Sequence, residues 1–292
     1  MDRSCLGRER YMKFIKSILR GVAIGIANII PGVSGGTMMV SMGIYDEVIC
    51  AVTGIFRQWK QSVRTLFPYA VGMGAGIVGL SFVISHLFAR YPLQTAMLFI
   101  GLIFGGLPLL LPKVAGRMPS AAELAVFAAF FGLIVWMQFW GEGHSKLLAV
   151  DARTMLSLFF IGALAAAAMV IPGVSGSMLL MSLGYYTPII DHINAFVIAV
   201  VTLDFSTVWY CVGILAPFGV GVLLGAFLIA KLVEYLLKRH ERMTYFAILG
   251  LVAASPVAVF AGSGVAGAGI GAWAAGIILF ALGVGLAWLL GK

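Results

Sequence analysis

A short motif rich in proline and glycine occurs twice within long apolar stretches of this chain. It constrains the fold more than any other feature. The first copy is Ile30-Pro31-Gly32-Val33-Ser34-Gly35-Gly36-Thr37, and the second is Ile171-Pro172-Gly173-Val174-Ser175-Gly176-Ser177. Proline removes a backbone donor and obstructs the preceding helical turn, whereas glycine tolerates backbone angles that other residues avoid. The motif therefore predicts a broken helix, which a membrane tolerates only where protein or a water-filled cavity surrounds the break.

The composition places these breaks in a membrane protein. Of the 292 residues, 62% are hydrophobic and only 10% are charged, whereas a typical soluble domain is about 25% charged. The net charge of +8 lies mostly in short clusters between apolar segments, which fits loops on an anionic membrane face better than nucleic-acid binding. The cysteines Cys5, Cys50 and Cys211 are few, odd in number and far apart, and the histidines show no metal-ligand spacing. We expect an all-α polytopic membrane protein with no metal, no cofactor and no nucleic-acid partner.

Each half of the chain contains one broken segment and three unbroken apolar spans. Each span is near the ~20 residues that cross a bilayer. Residues 1–20 are basic and amphipathic, which predicts a helix on the membrane surface. Repeat 1, residues 21–140, contains the broken segment 21–56 and the spans 66–89, 93–111 and 121–140; repeat 2, residues 154–290, contains the broken segment 154–200 and the spans 207–230, 243–261 and 270–290.

The distribution of Lys and Arg indicates how the broken segments sit in the membrane. If each crossed the bilayer once, the basic cluster at 57–64 would lie outside, against the preference of Lys and Arg for the cytoplasmic side. If each is a re-entrant hairpin that returns to its own side, that cluster and those at 113–117 and 231–242 are all cytoplasmic. Of the segments left outside, 190–206 and 262–269 contain no Lys or Arg, and only Arg90 and the mixed loop 141–153 put Lys or Arg outside. The charges therefore favour re-entrant hairpins and place both termini in the cytoplasm.

The two halves also match each other in sequence. The breaks align at an offset of 141 residues, and later positions align at an offset of 149, including Gly72 with Gly221 and Gly76 with Gly225. These glycines, four residues apart, are signals for close helix packing. Because three spans are an odd number of crossings, we predict that the second half is inverted relative to the first. Broken helices at corresponding places in inverted repeats indicate the binding site of a secondary transporter.

The donors at the two breaks are candidate anion ligands. Consecutive backbone N–H groups in a glycine-rich bend beside a helix N-terminus attract anions, and nearby hydroxyl groups add further donors. Two copies that keep both the serine and the glycine favour a binding role over simple chain reversal. At the breaks, the predicted substrate-binding residues are Ser34, Gly35, Gly36, Thr37, Ser175, Gly176 and Ser177.

Two arginines at matched positions complete the predicted site. Arg90 and Arg239 each end the first full span of their half, and the predicted topology puts Arg90 outside, against the usual preference. A guanidinium suits phosphate because it is always charged and donates in a fork. The alternative is that both arginines anchor their helices at the membrane interface.

Two carboxylates follow the first break. Asp46 and Glu47 are candidates for carrying a coupling proton or another coupling ion, because carboxylates near membrane depth are costly and tend to be functional. The alternative is that they face the cytoplasm as ordinary solvated groups. In the second half Thr187 and Pro188 occupy the matching positions, so any such role is confined to the first half.

The first motif also fits an enzymatic interpretation. Residues 32–36 match G-x-S-x-G, and Gly-Val-Ser-Gly is similar to the sequence around the serine of intramembrane rhomboid proteases. A nucleophilic serine needs a histidine base within hydrogen-bonding reach. Only His86 lies in a suitable span, near its end, and Tyr235 occupies the matching position in the second half. We therefore expect no catalytic residue and a protein that is not an enzyme.

The paired motifs resemble those of a membrane family assigned as undecaprenyl-phosphate (polyprenyl-phosphate) translocases. The shared pattern is Asn-Ile-Ile-Pro-Gly-Val-Ser-Gly-Gly-Thr at 28–37 with Gly-Ile-Tyr-Asp at 43–46, and Ile-Pro-Gly-Val-Ser-Gly-Ser at 171–177 with Gly-Tyr-Tyr at 184–186. The chain departs from the family at Thr187, where members often have an acidic residue.

The resemblance implies a flippase of the bacterial cytoplasmic membrane. Such a protein returns undecaprenyl phosphate from the outer to the cytoplasmic leaflet for the synthesis of cell-envelope polymers. Its partners would be the polyprenyl-phosphate lipid, the surrounding membrane lipids, and protons or another coupling ion. The residues alone equally fit an ion-coupled secondary transporter of a small soluble anion. A lateral opening for a lipid tail distinguishes the two.

The predicted topology can be tested by labelling cysteines introduced at Lys60 and Ile198 in a background without the native cysteines. We expect a membrane-impermeant reagent to reach position 60 from the cytoplasm and position 198 from outside, because only the first lies in a basic cluster. Labelling of both positions in permeabilised cells is the control. Labelling of both from the same side would contradict the inverted arrangement.

Overall fold

The structure, a computed structural model, describes residues 3–29, 34–139, 145–261 and 269–291. Within these ranges the chain forms helices and turns and no β-strand, which confirms the predicted all-helical class. The first half contains α1 (Arg3–Ile29), α2 (Gly35–Ser41), α3 (Tyr45–Thr53), α4 (Trp59–Arg90), α5 (Pro92–Gly106), α6 (Leu111–Val114) and α7 (Ala121–Met137). The second half contains α8 (Ala152–Val170), α9 (Gly176–Ser182), α10 (Tyr186–Thr202), α11 (Phe205–Arg239), α12 (Glu241–Ala261) and α13 (Ile270–Gly291).

Several helices have the length and composition of membrane spans, as expected for a polytopic protein. They are Pro92–Leu109, Ala152–Val170, Phe205–Arg239, Glu241–Ala261 and Ile270–Leu290. The helices Ala121–Met137 and Tyr186–Thr202 are apolar but shorter. Because α8 is itself long enough to cross a bilayer, the re-entrant placement of the second broken segment stays a prediction.

The same order of helices occurs in both halves. Each break is followed by a helix of seven residues, α2 or α9. A helix that starts at a matched tyrosine comes next, α3 at Tyr45 and α10 at Tyr186. A long helix then ends at a matched arginine, α4 at Arg90 and α11 at Arg239. The order agrees with the sequence repeat, while the inverted orientation of the halves stays a prediction.

Two boundaries differ from the sequence analysis. Helix α1 runs without a break from Arg3 to Ile29. The surface helix predicted for 1–20 therefore continues into the first, apolar part of the broken segment predicted at 21–56. Helix α4 begins at Trp59, so most of the basic segment predicted as a loop at 57–64 is helical. The physical reason is that Lys, Arg and Gln are good helix formers and can extend their charged ends to water from a helix.

The described helices form two compact units. The first contains α1 to α7, the segment Pro172–Val174, the end of α11 from Lys231, and helices α12 and α13. The second contains α8, α9, α10 and the rest of α11. In the second unit the buried side chains of Leu158, Leu180 and Ile214 form a shared apolar core.

In the first unit, α1 packs on α4 through glycines. A Cβ atom at Gly72 would lie 2.0 Å from the carbonyl oxygen of Ile18, and one at Gly76 would lie 2.5 Å from that of Val22. Real Cβ atoms essentially never approach an oxygen so closely. The backbones of the two helices are therefore in contact at positions that only glycine can occupy.

The second unit repeats this contact. A Cβ atom at Gly221 would lie 2.0 Å from the carbonyl oxygen of Phe159, and one at Gly225 would lie 2.5 Å from the backbone of Ala163. Phe159 and Ala163 lie 141 residues after Ile18 and Val22, which is the offset of the breaks. The contacts confirm that both glycine pairs are helix-packing positions, and they fix each long helix against the helix that precedes the break.

We expect Gly72→Leu to destabilise the protein, because the added side chain would separate α1 from α4. Overpacking of this kind costs typically 1–3 kcal/mol. The matched control is Gly74→Leu on the same helix, where a Cβ atom meets nothing within 4 Å. Thermal unfolding of the purified protein in detergent should show a lower melting temperature for Gly72→Leu only. Equal melting temperatures would contradict the packing interpretation.

Candidate functional site

The second motif contains a helix break that the structure describes in full. Helix α8 ends at Val170, and Ile171 continues in an extended conformation. Gly173 has a φ of +83°, and a Cβ atom there would lie 2.6 Å from the carbonyl oxygen of Leu251. The left-handed backbone and the close approach to α12 both require glycine at this position.

A serine pair begins the helix after this break. The Ser175 hydroxyl accepts a hydrogen bond from the Met178 N–H at 3.4 Å and caps α9. Its oxygen also lies 3.0 Å from the Ser177 hydroxyl. Both predicted hydroxyl donors of the second motif therefore have partners within their own helical turn.

The first motif is described from Ser34 onward, while Pro31, Gly32 and Val33 lie outside the described residues. The Ser34 hydroxyl accepts from the Gly36 N–H at 3.2 Å and caps α2. The N–H of Gly35 donates to the side-chain oxygen of Asn28 at 3.3 Å. The backbone donors that were predicted to bind an anion are thus paired inside the protein in this conformation.

The hydroxyl of Thr37 joins the two motifs. It accepts a hydrogen bond from the N–H of Gly173 at 2.6 Å and lies 3.3 Å from the Ser255 hydroxyl. Ser255 donates its proton to the carbonyl oxygen of Leu251 at 3.1 Å. Because that proton is used, Thr37 must be the donor to Ser255. The result is a directed chain of hydrogen bonds from Gly173 through Thr37 and Ser255 to Leu251.

Ser255 was missed by the sequence analysis. It is a single serine inside the apolar helix α12, and its partner Thr37 is 218 residues away. The signal that could have indicated it is local, because Ser255 directly precedes Pro256 within an otherwise apolar helix. Proline leaves a carbonyl of the preceding turn without its helical donor, and polar groups at such places tend to be used.

The donors at the breaks are enclosed by protein. The exposed fraction is 0% for Thr37, 3% for Ser34 and 7% for Ser175. A Cβ atom at Gly35 would meet the Asn28 side chain at 2.7 Å, and one at Gly176 would meet Met169 at 2.8 Å. The glycines therefore allow each short helix to pack against the helix before it.

Helix α2 carries another buried hydroxyl. Ser41, which matches Ser182 in the sequence repeat, is fully buried, and a Cβ atom at Gly106 of α5 would lie 2.2 Å from its Cα atom. In the described part of the chain its hydroxyl oxygen has no hydrogen-bond partner. The sequence analysis assigned no role to this serine, although it belongs to the matched positions.

The two predicted arginines lie apart from these contacts. Arg90 and Arg239 are exposed at the ends of α4 and α11. Among the described residues, no hydrogen bond or ion pair connects either arginine to Ser34 or Thr37.

Asp46 is part of a network that the sequence did not indicate. Its carboxylate accepts a hydrogen bond from the Tyr245 hydroxyl and lies 3.5 Å from the Lys113 ammonium. Lys113 also lies 3.7 Å from a carboxylate oxygen of Glu241 and 5.0 Å from the centre of the Tyr245 ring. A cavity of about 80 Å³ borders Asp46, Lys113 and Tyr245. Glu47 has a different environment, where it accepts a long hydrogen bond of 3.4 Å from Tyr69.

Asp204 caps the start of α11. Its carboxylate accepts hydrogen bonds from the hydroxyls of Ser206 and Thr207. These hydrogen bonds lower the pKa of Asp204 to about 2. The carboxylate is exposed, so it serves the local structure of this helix start.

Comparison with known proteins agrees with the motifs. The family model for VCA0040-like proteins, described as undecaprenyl phosphate translocase-like, matches residues 24–269. A polyprenyl-phosphate transporter of Staphylococcus aureus is 31% identical over 282 residues, which cover 94% of this chain and 95% of the relative. A polyprenyl-phosphate transporter of Vibrio cholerae is 27% identical over 255 residues, which cover 82% of this chain and 76% of the relative. No solved structure gives a significant match. The chain therefore belongs to the undecaprenyl phosphate translocase-like family of membrane proteins.

Proposed function

We propose that this protein moves a polyprenyl phosphate across the bacterial cytoplasmic membrane, returning undecaprenyl phosphate from the outer to the cytoplasmic leaflet. The observation that carries the proposal is the hydrogen bond between Thr37 and Gly173, because it brings groups of both broken motifs together inside apolar protein. The names of the two relatives support the class of substrate. Such a transporter supplies the lipid carrier for the synthesis of cell-envelope polymers.

The physical problem is to carry a charged phosphate through hydrocarbon while the isoprenoid tail stays in lipid. A buried charge is very costly unless it is hydrogen-bonded, and charge-assisted hydrogen bonds are the strong ones in a low dielectric. In the proposed bound state the phosphate accepts hydrogen bonds from groups at both breaks. These groups are the N–H groups of Gly35, Gly36 and Gly176 and the hydroxyls of Ser34, Thr37, Ser175 and Ser177.

The internal hydrogen bonds suit such an exchange of partners. Those accepted by Asn28, Ser34 and Ser175 measure 3.3, 3.2 and 3.4 Å, longer than the usual ~2.9–3.0 Å for N–H···O. A hydrogen bond to a charged acceptor is roughly twice as strong as a neutral one. The phosphate would therefore replace weak internal partners, and these partners return when it leaves.

Arg90 and Arg239 have a separate role in the proposal. As exposed guanidinium groups at helix ends, they would attract the phosphate before and after it passes the breaks. Lysine at either position keeps the charge and loses the bidentate fork, so Arg90→Lys and Arg239→Lys belong in the same transport assay. Wild-type transport by both would show that the arginines only anchor their helices.

We predict that Ser34→Ala and Ser175→Ala each slow the translocation of lipid by about tenfold to a hundredfold, because one lost hydrogen bond to a charged group is worth about 1.5–3 kcal/mol, and that the double variant Ser34→Ala/Ser175→Ala is slower still. The measurement is leaflet translocation of a short-chain polyprenyl phosphate by the full-length protein in liposomes. The matched control is Ser120→Ala, since Ser120 caps α7 in the same way, accepting from the Glu123 N–H at 3.3 Å.

The outcomes separate the hypotheses. If the double variant is slow and the Ser120→Ala control transports normally, the result supports a phosphate site at the breaks. The loss of a helix cap by itself would slow transport in both proteins. Undiminished translocation in the double variant would remove the hydroxyls from the site. Movement of inorganic phosphate but not of the lipid would favour the alternative, a transporter of a small soluble anion.

We predict that Asp46→Asn abolishes the response of transport to an imposed proton gradient. The amide keeps the shape of the side chain beside Tyr245 and Lys113 but cannot exchange a proton. Tyr245→Phe is the control, since it removes the hydrogen bond and leaves the carboxylate in place. Glu47→Gln tests the neighbouring carboxylate in the same assay. An unchanged gradient response in both carboxylate variants would exclude coupling through either residue.

A further inference from the structure

A polar cavity of about 710 Å³ lies in the first unit, where three helices end or begin. Its walls come from the end of α3, the turn that follows it, the first turns of α4 and the end of α11. None of the lining residues that the structure describes belongs to a helix break. The residues that matter for its charge are Glu47, Arg57, Lys231, Glu234 and Lys238.

Glu234 organises one wall of this cavity. Its carboxylate is only 16% exposed and lies 3.1 Å from the Lys231 ammonium, while its other oxygen accepts a hydrogen bond from Lys238. One partly buried carboxylate thus holds two lysines at the cavity surface, where the Lys231 side chain is 42% exposed and the Lys238 side chain is 70% exposed.

Arg57 is the cation without such a partner. It is exposed in the turn between α3 and α4 and is near enough to Lys238 for the two charges to repel. Within the described ranges, no carboxylate lies at ion-pair distance from Arg57. Three cations and two carboxylates therefore line the cavity, and the excess is one positive charge.

We propose that this cavity, which we term the α3–α11 vestibule, binds a phosphate dianion. The phosphate is either the headgroup of a polyprenyl phosphate or free inorganic phosphate, and both present the same acceptor oxygens. The inference rests on the proposed function, in which the headgroup enters or leaves the transporter through water.

The chemistry of the lining fits phosphate well. Arg57 can donate in a fork to two oxygens, and Lys238 adds a mobile point charge. The side chains of Gln58, Gln61 and Thr65, at the start of α4, supply neutral donors to the same lining. The volume lies within the ~300–1,000 Å³ of small-molecule sites, so a hydrated headgroup fits without rearrangement.

Glu234 makes the binding reversible. An entering phosphate competes with this carboxylate for Lys231 and Lys238, so the vestibule binds less tightly than two unpaired lysines would. Replacing Glu234 with glutamine should therefore strengthen phosphate binding, whereas replacing Arg57 with glutamine should weaken it. A general loss of structure cannot produce opposite signs.

Cys50 gives a direct readout, because this exposed cysteine lines the vestibule whereas Cys211 is buried. The experiment uses the full-length Cys5→Ser protein in phosphatidylcholine nanodiscs and measures the rate at which a neutral maleimide alkylates Cys50. The rate is followed against the concentration of inorganic phosphate, and separately against a short-chain polyprenyl phosphate. Phosphatidylglycerol, an anionic lipid without a phosphate dianion, serves as the control ligand.

We expect a saturable slowing of alkylation by phosphate. Arg57→Gln should weaken the apparent affinity about threefold to tenfold, as loss of an exposed charge-assisted contact implies. Glu234→Gln should strengthen it by a similar factor. Lys60→Gln is the matched control, because Lys60 belongs to the same basic cluster but does not line the vestibule.

Each outcome decides the proposal. Protection by either form of phosphate, sensitive to Arg57, supports the site, and the form that protects identifies its source. Absence of protection, or equal protection by phosphatidylglycerol, overturns it. If lipid translocation is intact while Cys50 is unprotected, only the vestibule is lost. If inorganic phosphate protects Cys50 but the protein moves no lipid, the proposed function fails and the vestibule stands.

Discussion

The hydrogen-bond chain from Gly173 through Thr37 and Ser255 to Leu251 is the interaction on which the centre of the first unit depends. A broken helix in an apolar environment exposes donors that lipid cannot satisfy. An unsatisfied buried donor costs about 1–3 kcal/mol, so a break persists only where protein supplies partners. Here the partner of the second motif is a hydroxyl of the first. The second break therefore relies on the first for the partner of its Gly173 N–H.

Close glycine contacts position the breaks for this pairing. Gly72 brings α4 against α1, and Gly221 brings α11 against α8, each through direct backbone approach. Gly173 then allows the second motif to reach α12. Since each approach fixes a helix next to a break, the short helices α2 and α9 begin from defined places. Small residues thus determine where each short helix begins.

Local sequence predicted the parts of this arrangement that depend on one segment. Proline and glycine indicated the break at 171–176, and the matched glycines indicated the packing contacts. Ser255 and Lys113 could not be found in this way, because their partners Thr37 and Asp46 are distant in sequence and become neighbours only after the helices pack.

The basic segment at 57–64 shows that a cluster of charged residues does not by itself predict a loop. Its Lys and Arg residues indicated an aqueous location, which is compatible with the exposed side chains of Arg57 and Lys60. They did not indicate the backbone conformation, because charged residues with long side chains are also good helix formers. Clustered charges therefore indicate which side chains reach water and do not decide the secondary structure of the segment.

Hydrogen-bond and ion-pair partners within the protein also affect how a transporter can both bind and release an anion. At the breaks, Asn28 and Ser34 accept hydrogen bonds from glycine N–H groups, and in the vestibule Glu234 holds two lysines. A donor that is already paired gains only the difference between its old and new partners when phosphate arrives. That difference keeps binding weak enough to reverse, while the paired donors avoid the cost of standing unsatisfied in the empty protein. In the proposed mechanism, pre-pairing would lower the free-energy barrier between successive phosphate positions, as translocation of a charged headgroup requires.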